Sequence, residues 1–268
     1  MKTKPVKELS IQISLSGLSF CIINKISSEV EFLKSDSFQT KQTPQNLLNK
    51  LKTVFETHSV LEQNFDNVLC IHQNELSCLV PENLFDERHL ADYLKFNAKI
   101  LKTDFISFDP VESISAMNVY VPLVNVNNYL FDTFGSFTFK HSSSILIDSL
   151  SQLLLVDRER IFININKNTF ELLSFKGTQL VFYNIFQYHT PQDFIYYLLF
   201  TLEQLELNPE TIKLYLVGEI QENYELYKII YKYIRFVEVL NYKSPFNVSQ
   251  DQNIEHQLDY FLILNSFK

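Results

Sequence analysis

The chain has 268 residues, of which 46% are apolar, and it carries a formal net charge of −8. This length is enough for one large domain or two domains of ordinary size, and the apolar content excludes disorder as the default state. The acidic balance, with no dense basic run, argues against non-specific binding of nucleic acid, because neutralising phosphates requires clustered lysine and arginine.

Cysteine usage and the absence of long apolar runs predict a cytoplasmic protein. Cys21, Cys70 and Cys78 each lie in an apolar, strand-like setting, and their odd number favours reduced, buried thiols. The basic N-terminus is not followed by a long apolar stretch, so the sequence predicts no signal peptide. No apolar run reaches the roughly 18 residues of a transmembrane helix.

The first half predicts three strands, a helix and a fourth strand. Residues 13–23 form a strand, a tight turn at Gly17 and a second strand, and 29–38 is a further strand-like run. Thr43 can cap a helix that Pro44 opens, and apolar residues follow at helical spacing. The run Asn67–His72 predicts a short buried strand.

The second half repeats this order. Residues 160–166 and 169–175 predict a strand pair, 179–188 a third strand, Thr190 and Pro191 a helix start, and 212–217 the following strand. Matched landmarks lie 145 to 150 residues apart, with Phe20 against Phe170 and Thr43 against Thr190. These matches indicate an internal duplication, although two adjacent α/β segments can also look alike without one.

Additional elements separate the two copies and belong to the first. They are predicted as a strand at 75–80, a helix at 81–101, strands at 104–108 and 118–121, a helix at 124–134, a strand at 137–140 and a serine-capped helix at 142–155. We therefore expect an α/β protein with a first subdomain at 1–150 and a second at 151–268, each with a mixed sheet of about five strands.

A duplicated βββαβ unit with a hairpin opening each copy resembles the actin-like ATPase superfamily, which has two ribonuclease-H-like subdomains in tandem. The insertion after the fourth strand resembles the actin-like protein of type IV pilus assembly. The chain as a whole resembles a bacterial family of uncharacterised function that is thought to share this fold. The resemblance covers nearly the entire chain and depends on element order more than on sharp motifs.

The superfamily holds Mg²⁺ and nucleotide phosphates with an Asp-x-Gly motif in each hairpin and a glycine pair after a later strand. The resemblance therefore implies nucleotide-loop positions, and both aspartates are missing from them, because Ser14 and Asn164 stand in their places. The other implied positions are Ser16, Gly17, Asn166 and Gly218. Neutral side chains bind Mg²⁺ poorly, and phosphoryl transfer depends on metal placement, so we expect no appreciable ATP hydrolysis. Gly17 can equally serve only a hairpin turn.

Two further groups of residues allow a functional and a purely structural interpretation. Cys70, His72 and Cys78 could belong to a metal site that lacks a fourth ligand, but buried thiols packed beside one histidine explain the pattern better, so no metal is expected. The serines after His141 are interpreted as a helix cap, since no nucleophile-elbow motif is present.

Three tyrosines, Tyr224, Tyr227 and Tyr231, lie on one face of a predicted helix. They are either flanks of an amphipathic core stripe or an aromatic surface for a protein partner. The core stripe is the more economical interpretation, and the partner surface stays open.

Three classes of function remain after these considerations. The first is a non-catalytic cytoplasmic scaffold or adaptor of actin-like fold that binds a protein partner and needs no cofactor. The second is a weak or atypical ATP-binding protein that uses the cleft expected between the subdomains, with Gly17 and Gly218 near the nucleotide. The third, a ribonuclease-H-like nuclease, ranks last because residues 11–15 offer no carboxylate.

Overall fold

A computed structural model describes residues 6–96, 99–153, 159–220, 224–248 and 257–267, without the side chain of Tyr224. The chain divides into two compact units, and the boundary between them falls within one helix, after residue 146. The first unit also takes in 244–248 and 262–267, and the second runs from 147 to 243 and includes 257–261.

The first unit contains a six-stranded sheet of order β14-β3-β2-β1-β4-β8 and a three-stranded sheet of order β5-β7-β6. Its strands are β1 (Lys7–Ser14), β2 (Gly17–Asn24), β3 (Glu29–Ser37), β4 (Asn67–His72), β5 (Ser77–Pro81), β6 (Ser107–Val111), β7 (Ala116–Tyr120), β8 (Thr138–His141) and β14 (Asn247–Val248). Its helices are α1 (Pro44–Thr57), α2 (Leu90–Leu94), α3 (Val124–Phe134) and the beginning of α4 (Ser142–Ser151).

The second unit contains a five-stranded sheet of order β11-β10-β9-β12-β13. Its elements are β9 (Glu159–Ile165), β10 (Thr169–Lys176), β11 (Gln179–Gln187), α5 (Pro191–Gln204), β12 (Lys213–Gly218), α6 (Tyr224–Tyr233) and β13 (Phe236–Val239). The short helix α7 (Phe261–Leu264) follows near the end of the chain.

The predicted strand pairing is confirmed in both units. In each unit the first three strands form an antiparallel meander, because their connections are too short for a parallel crossover. The strand that follows the Thr-Pro-Gln helix then pairs in parallel with the first strand, β4 with β1 and β12 with β9. The first strands of the two units belong to separate sheets.

The two long helices bury equivalent faces. Thr43 accepts a hydrogen bond from the amide of Asn46 at the start of α1, and Thr190 and Asp193 form a reciprocal capping box at the start of α5. Every buried residue of α1 has a buried counterpart 147 positions later in α5. Most of these side chains pack on the apolar faces of β1 and β2 in one unit and of β9 and β10 in the other.

Two features of the first unit differ from the sequence prediction. The sequence predicts a helix at 81–101, but α2 covers only Leu90–Leu94, and short 3₁₀ turns precede it. The chain after residue 243 was assigned to the second half, yet β14 pairs in parallel with β3 of the first sheet. A two-residue strand carries no periodic pattern that a sequence could reveal.

Candidate functional site

The first hairpin closes on itself through the hydroxyl of Ser14. Ser14 lies opposite Gly17 at the end of the β1–β2 ladder. Its Oγ accepts a hydrogen bond from the amide of Ser16 at 3.2 Å and donates to the carbonyl of Gly17, also at 3.2 Å. Both roles of this hydroxyl are therefore used inside the turn, at the position where the family resemblance implies a metal-binding carboxylate.

The glycine of this hairpin is explained by backbone packing. A Cβ atom on Gly17 would lie 2.9 Å from the carbonyl oxygen of Asp36 in β3. The neighbouring turn carbonyls are also engaged, since Ser16 accepts from the amide of Phe38 and Leu15 from the amide of Gln42. Close approach of β3 therefore requires a residue without a side chain at position 17.

The second hairpin contains a buried carboxylate that the sequence analysis missed. Asn164 Nδ2 donates to Oε2 of Glu171 at 2.6 Å, and the hydroxyl of Tyr183 donates to Oε1 at 2.8 Å. Glu171 is only 3% exposed. Burial raises the pKa of this carboxyl, while its hydrogen bonds with Asn164 and Tyr183 oppose that shift. The available signal was an acid flanked by apolar residues in the middle of a predicted strand, TFELLSF.

The structure aligns the two hairpins differently from the sequence prediction, with a shift of two residues. Ser14 faces Gly17 across a two-residue turn, and the amide of Asn166 bonds to the carbonyl of Thr169 across another. Asn166 is therefore the counterpart of Ser14. It closes its hairpin by a backbone bond, and its carbonyl also accepts from the hydroxyl of Tyr188 at 2.8 Å.

The hydrogen bonds between the parallel strands give the same alignment of the two hairpins. The amide of Gln73 bonds to the carbonyl of Ile13, and the amide of Glu219 bonds to the carbonyl of Ile165, both at 2.9 Å. Asn164 therefore corresponds to Gln12, whose side chain likewise donates to a neighbour, Gln73, at 2.8 Å. In both hairpins an amide occupies this position.

Gly218 is required where β12 ends beside β9. Its φ of +84° favours glycine, and a Cβ there would lie 2.7 Å from Oδ1 of Asn164 and even closer to the carbonyl oxygen of Ile165. Asn164 is thus enclosed by Glu171 on one side and Gly218 on the other. This packing alone accounts for a glycine at position 218.

A second polar cluster lies in the first unit around Asp109. Its carboxylate accepts three hydrogen bonds, from the hydroxyls of Tyr120 and Ser144 at 3.0 and 2.8 Å and from the amide of His141 at 2.7 Å. Ser143 Oγ lies 2.7 Å from Nδ1 of His141. The serines thus bond to side chains of neighbouring elements, beyond the helix-capping role predicted for them.

This cluster contains serine, histidine and aspartate but lacks the geometry of a nucleophilic site. His141 and Ser143 are fully buried, so no substrate can reach the hydroxyl. Asp109 holds the backbone amide of His141, whereas a catalytic triad requires the carboxylate to orient the imidazole ring. The arrangement anchors β6, β7 and the start of α4 to one another.

His72 and His141 are neutral and buried. The ring of His72 accepts from the amide of Leu123 at Nδ1, so its Nε2–H donates to Asn127. Desolvation lowers the pKa of His72 to about 4 and that of His141 to about 3, and the neighbouring His72 adds to the second shift. Cys70 Sγ lies 3.8 Å from Nε2 of His72, and burial raises the pKa of this thiol. Among the residues that the structure describes, no group of three or more histidine, cysteine, aspartate or glutamate side chains is placed to hold a metal ion.

The tyrosines of α6 are only partly at the surface. Tyr227 packs against the core of the second unit and stacks on Tyr231, with ring centroids 6.0 Å apart. Tyr231 is 61% exposed. The side chain of Tyr224 lies outside the described residues.

Comparison with solved structures shows which fold the protein has. A protein from Bacteroides thetaiotaomicron, described as having an actin-like ATPase fold and unknown function, matches with a TM-score of 0.80 and 24% identity over 96% of this chain and 95% of its own. A PilM–PilN type IV pilus biogenesis complex matches with a TM-score of 0.60 and 13% identity over 98% of each chain. The protein has the actin-like ATPase fold, as its sequence predicted.

The family follows from the sequence itself. Residues 1–237 match the model of DUF3822, described as a protein of unknown function, and the chain belongs to this family. The search of curated proteins found no match. In the described part of the chain, no helix combines the length and apolar character that crossing a membrane demands.

The environment of Gly218 predicts a large stability loss on substitution. Gly218→Ala introduces both an unfavourable positive φ and a collision with β9, so we expect a loss of about 2–4 kcal/mol in the free energy of unfolding. Gly177→Ala is the matched control, because Gly177 has a φ of +63° with open space around its missing Cβ. It should lose only about 1 kcal/mol in the same urea titration. Equal losses would show that the β9–β12 contact is not restrictive.

The Asn164–Glu171 contact predicts that an aspartate is poorly tolerated in the second hairpin. Asn164→Asp would place two carboxyl groups in hydrogen-bonding contact within a buried site, and they cannot both ionise. We expect a loss of about 3 kcal/mol at pH 7. The two carboxyl groups share a proton in the folded state, which raises the pKa of the pair above the unfolded value. The loss of stability should therefore shrink as the pH falls toward 4.

The double variant Asn164→Asp/Glu171→Gln provides the control for this experiment, since it restores one acid and one amide. It should recover most of the stability in thermal unfolding. Ser14→Asp, in the half-buried first hairpin, should cost less than Asn164→Asp. The proposed role of Glu171 fails if Asn164→Asp unfolds like the unaltered protein at pH 7.

The two buried histidines predict a loss of stability in mild acid. Their folded-state pKa values lie below the unfolded value of about 6.5. Their contribution to the unfolding free energy is therefore complete above pH 6.5, and it is lost as the pH falls toward 4 for His72 and toward 3 for His141. Each histidine should contribute a slope of up to about 1.4 kcal/mol per pH unit near pH 5.

Asp109 and Glu171 have raised pKa values, so their contributions to the unfolding free energy grow as the pH falls, opposite to those of the histidines. Variants of single histidines separate the two effects. His141→Gln should flatten the dependence of the unfolding free energy on pH between 7 and 5. His189→Gln, at an exposed position, should keep the original slope. An unchanged slope in His141→Gln would contradict the assignment.

Proposed function

We propose that this protein is a non-catalytic, cytoplasmic scaffold or adaptor of actin-like fold that binds a protein partner. The observation that carries the proposal is the state of the two hairpins. The positions that the resemblance assigns to metal-binding carboxylates hold Ser14 and Asn164, and Asn166 is the structural counterpart of Ser14. Each of the three is engaged in hydrogen bonds within its own unit.

The chemistry of phosphoryl transfer supports this proposal. Transfer requires Mg²⁺ and fixed positive charge around the phosphates, and hard cations prefer carboxylate oxygens. Gly17 and Gly218, which could have signalled close approach of a nucleotide, are both explained by neighbouring backbone. The PilM–PilN complex is an instance of this fold bound to another protein, and at 13% identity it offers an analogy of fold only.

Calorimetric titration with Mg-ATP tests the proposal against its alternative, an atypical ATP-binding protein. The proposal expects no saturable heat and no phosphate release above a buffer blank. A parallel titration with ATP and excess chelator separates metal-dependent from metal-independent binding. A Kd tighter than about 10 μM, in either titration, would overturn the scaffold proposal in favour of ATP binding.

A further inference from the structure

The paired helices α1 and α5 provide an internal comparison of surfaces. Both have 14 residues, both begin with Pro-Gln after a threonine cap, and their buried positions correspond one for one. For example, Leu51 corresponds to Leu198, and Phe55 corresponds to Leu202. A difference between their outer faces therefore does not follow from the packing of the core.

The outer faces differ sharply in chemistry. On α1 three outward positions carry exposed polar side chains, as expected for a helix facing water: Asn49, Lys50 and Thr53. On α5 the same three positions carry aromatic side chains: Tyr196, Tyr197 and Phe200. These rings are 62%, 36% and 48% exposed, respectively. Together with Phe186 of β11, they are called the α5 patch below.

The rings of the α5 patch hold one another in place. Tyr196 stacks on Phe200 with an interplanar angle of 17° and meets Tyr197 edge-on, with centroids 5.4 Å apart. Tyr197 in turn stacks on Phe186, with centroids 5.4 Å apart, so the patch continues from the helix onto the sheet edge. Because the rings already pack against one another, we expect that binding a partner costs little additional side-chain entropy.

The charges on the two elements that form the patch favour one kind of occupant. Among all residues of α5 and β11, Asp193 and Glu203 are the only charged ones, and both are acidic. They lie toward opposite ends of the helix, flanking the aromatic rings. A second copy docking antiparallel on this face would bring acid against acid, and the chain already carries a net charge of −8.

We propose that the α5 patch is a docking site for an amphipathic helical segment of another protein, with apolar anchor residues flanked by lysine or arginine. Apolar anchors at one helical face would pack between the aromatic rings, as in helix-in-groove recognition. The basic flanks would meet Asp193 and Glu203 at the rim, where such charges mainly set association rate and specificity. This inference rests on the proposed function, since it names the surface and the chemistry of the partner.

Selection from a phage-displayed library of random peptides of about 16 residues, about four helical turns, tests the proposal with an unbiased probe. The full chain is the bait. The counter-selection uses the variant Tyr196→Asn/Tyr197→Lys/Phe200→Thr, which gives α5 the outer residues of α1. Enriched peptides should carry apolar residues at helical spacing with flanking lysine or arginine, and should bind the variant at least about tenfold more weakly.

Two further variants sharpen the result. Phe131→Thr removes a ring that is 62% exposed on α3 and should leave peptide affinity unchanged. Glu203→Lys should weaken the binding of the selected basic peptides. The unfolding midpoint should stay unchanged, which would show that the fold is intact. The proposal is overturned if the selected peptides are acidic or uncharged, or if they bind the triple variant as tightly as the unaltered chain.

Other occupants would show themselves in two measurements. A dimer in light scattering that becomes a monomer in the triple variant would assign the patch to a second copy. Binding to vesicles containing about 30% anionic lipid, lost in the triple variant, would assign it to a membrane surface. Either result overturns the proposal without touching the proposed scaffold function, which the Mg-ATP titration tests separately.

Discussion

Parallel pairing between the first strand of each unit and the strand after its Thr-Pro-Gln helix is the constraint on which the structure depends. A parallel pair needs a long connection, and in both units that connection contains a 14-residue helix, whose apolar face covers the first two strands of the sheet. The pairing also places the end of β1 beside β4 and the end of β9 beside β12. The glycine at position 218 follows from how closely the ends of β9 and β12 approach.

The sequence revealed the fold because its signals were local and repeated. Helix starts at Thr43 and Thr190, alternating strands and short connections all agreed with one another, and such agreement specifies an architecture well. The local signals did not agree in this way around residues 82–89, where the chain forms short turns. The segment forms two short 3₁₀ turns, and Phe85 packs against the core of the small sheet while Leu84 is 66% exposed.

The site was less accessible to sequence reasoning because it depends on register. A shift of two residues keeps every side chain on the same face, so apolar alternation cannot distinguish Asn164 from Asn166 as the partner of Ser14. The backbone hydrogen bonds between strands do so, both within the two hairpins and from Gln73 and Glu219. Glu171 escaped attention for a similar reason, since its importance comes from Asn164 and Tyr183 on adjacent strands.

The pairing of β14 with β3 has a consequence for how the protein is made. β14 lies at residues 247–248, and Ser266, near the end of the chain, bonds through its hydroxyl to that of Ser10 at 2.8 Å. The sheet whose strands leave the ribosome first is therefore completed by segments that leave it more than 200 residues later. During synthesis Glu29 and Val30 of β3 wait for this partner strand while the second unit can already fold, so this part of the β3 edge is where a nascent chain is exposed to mispairing.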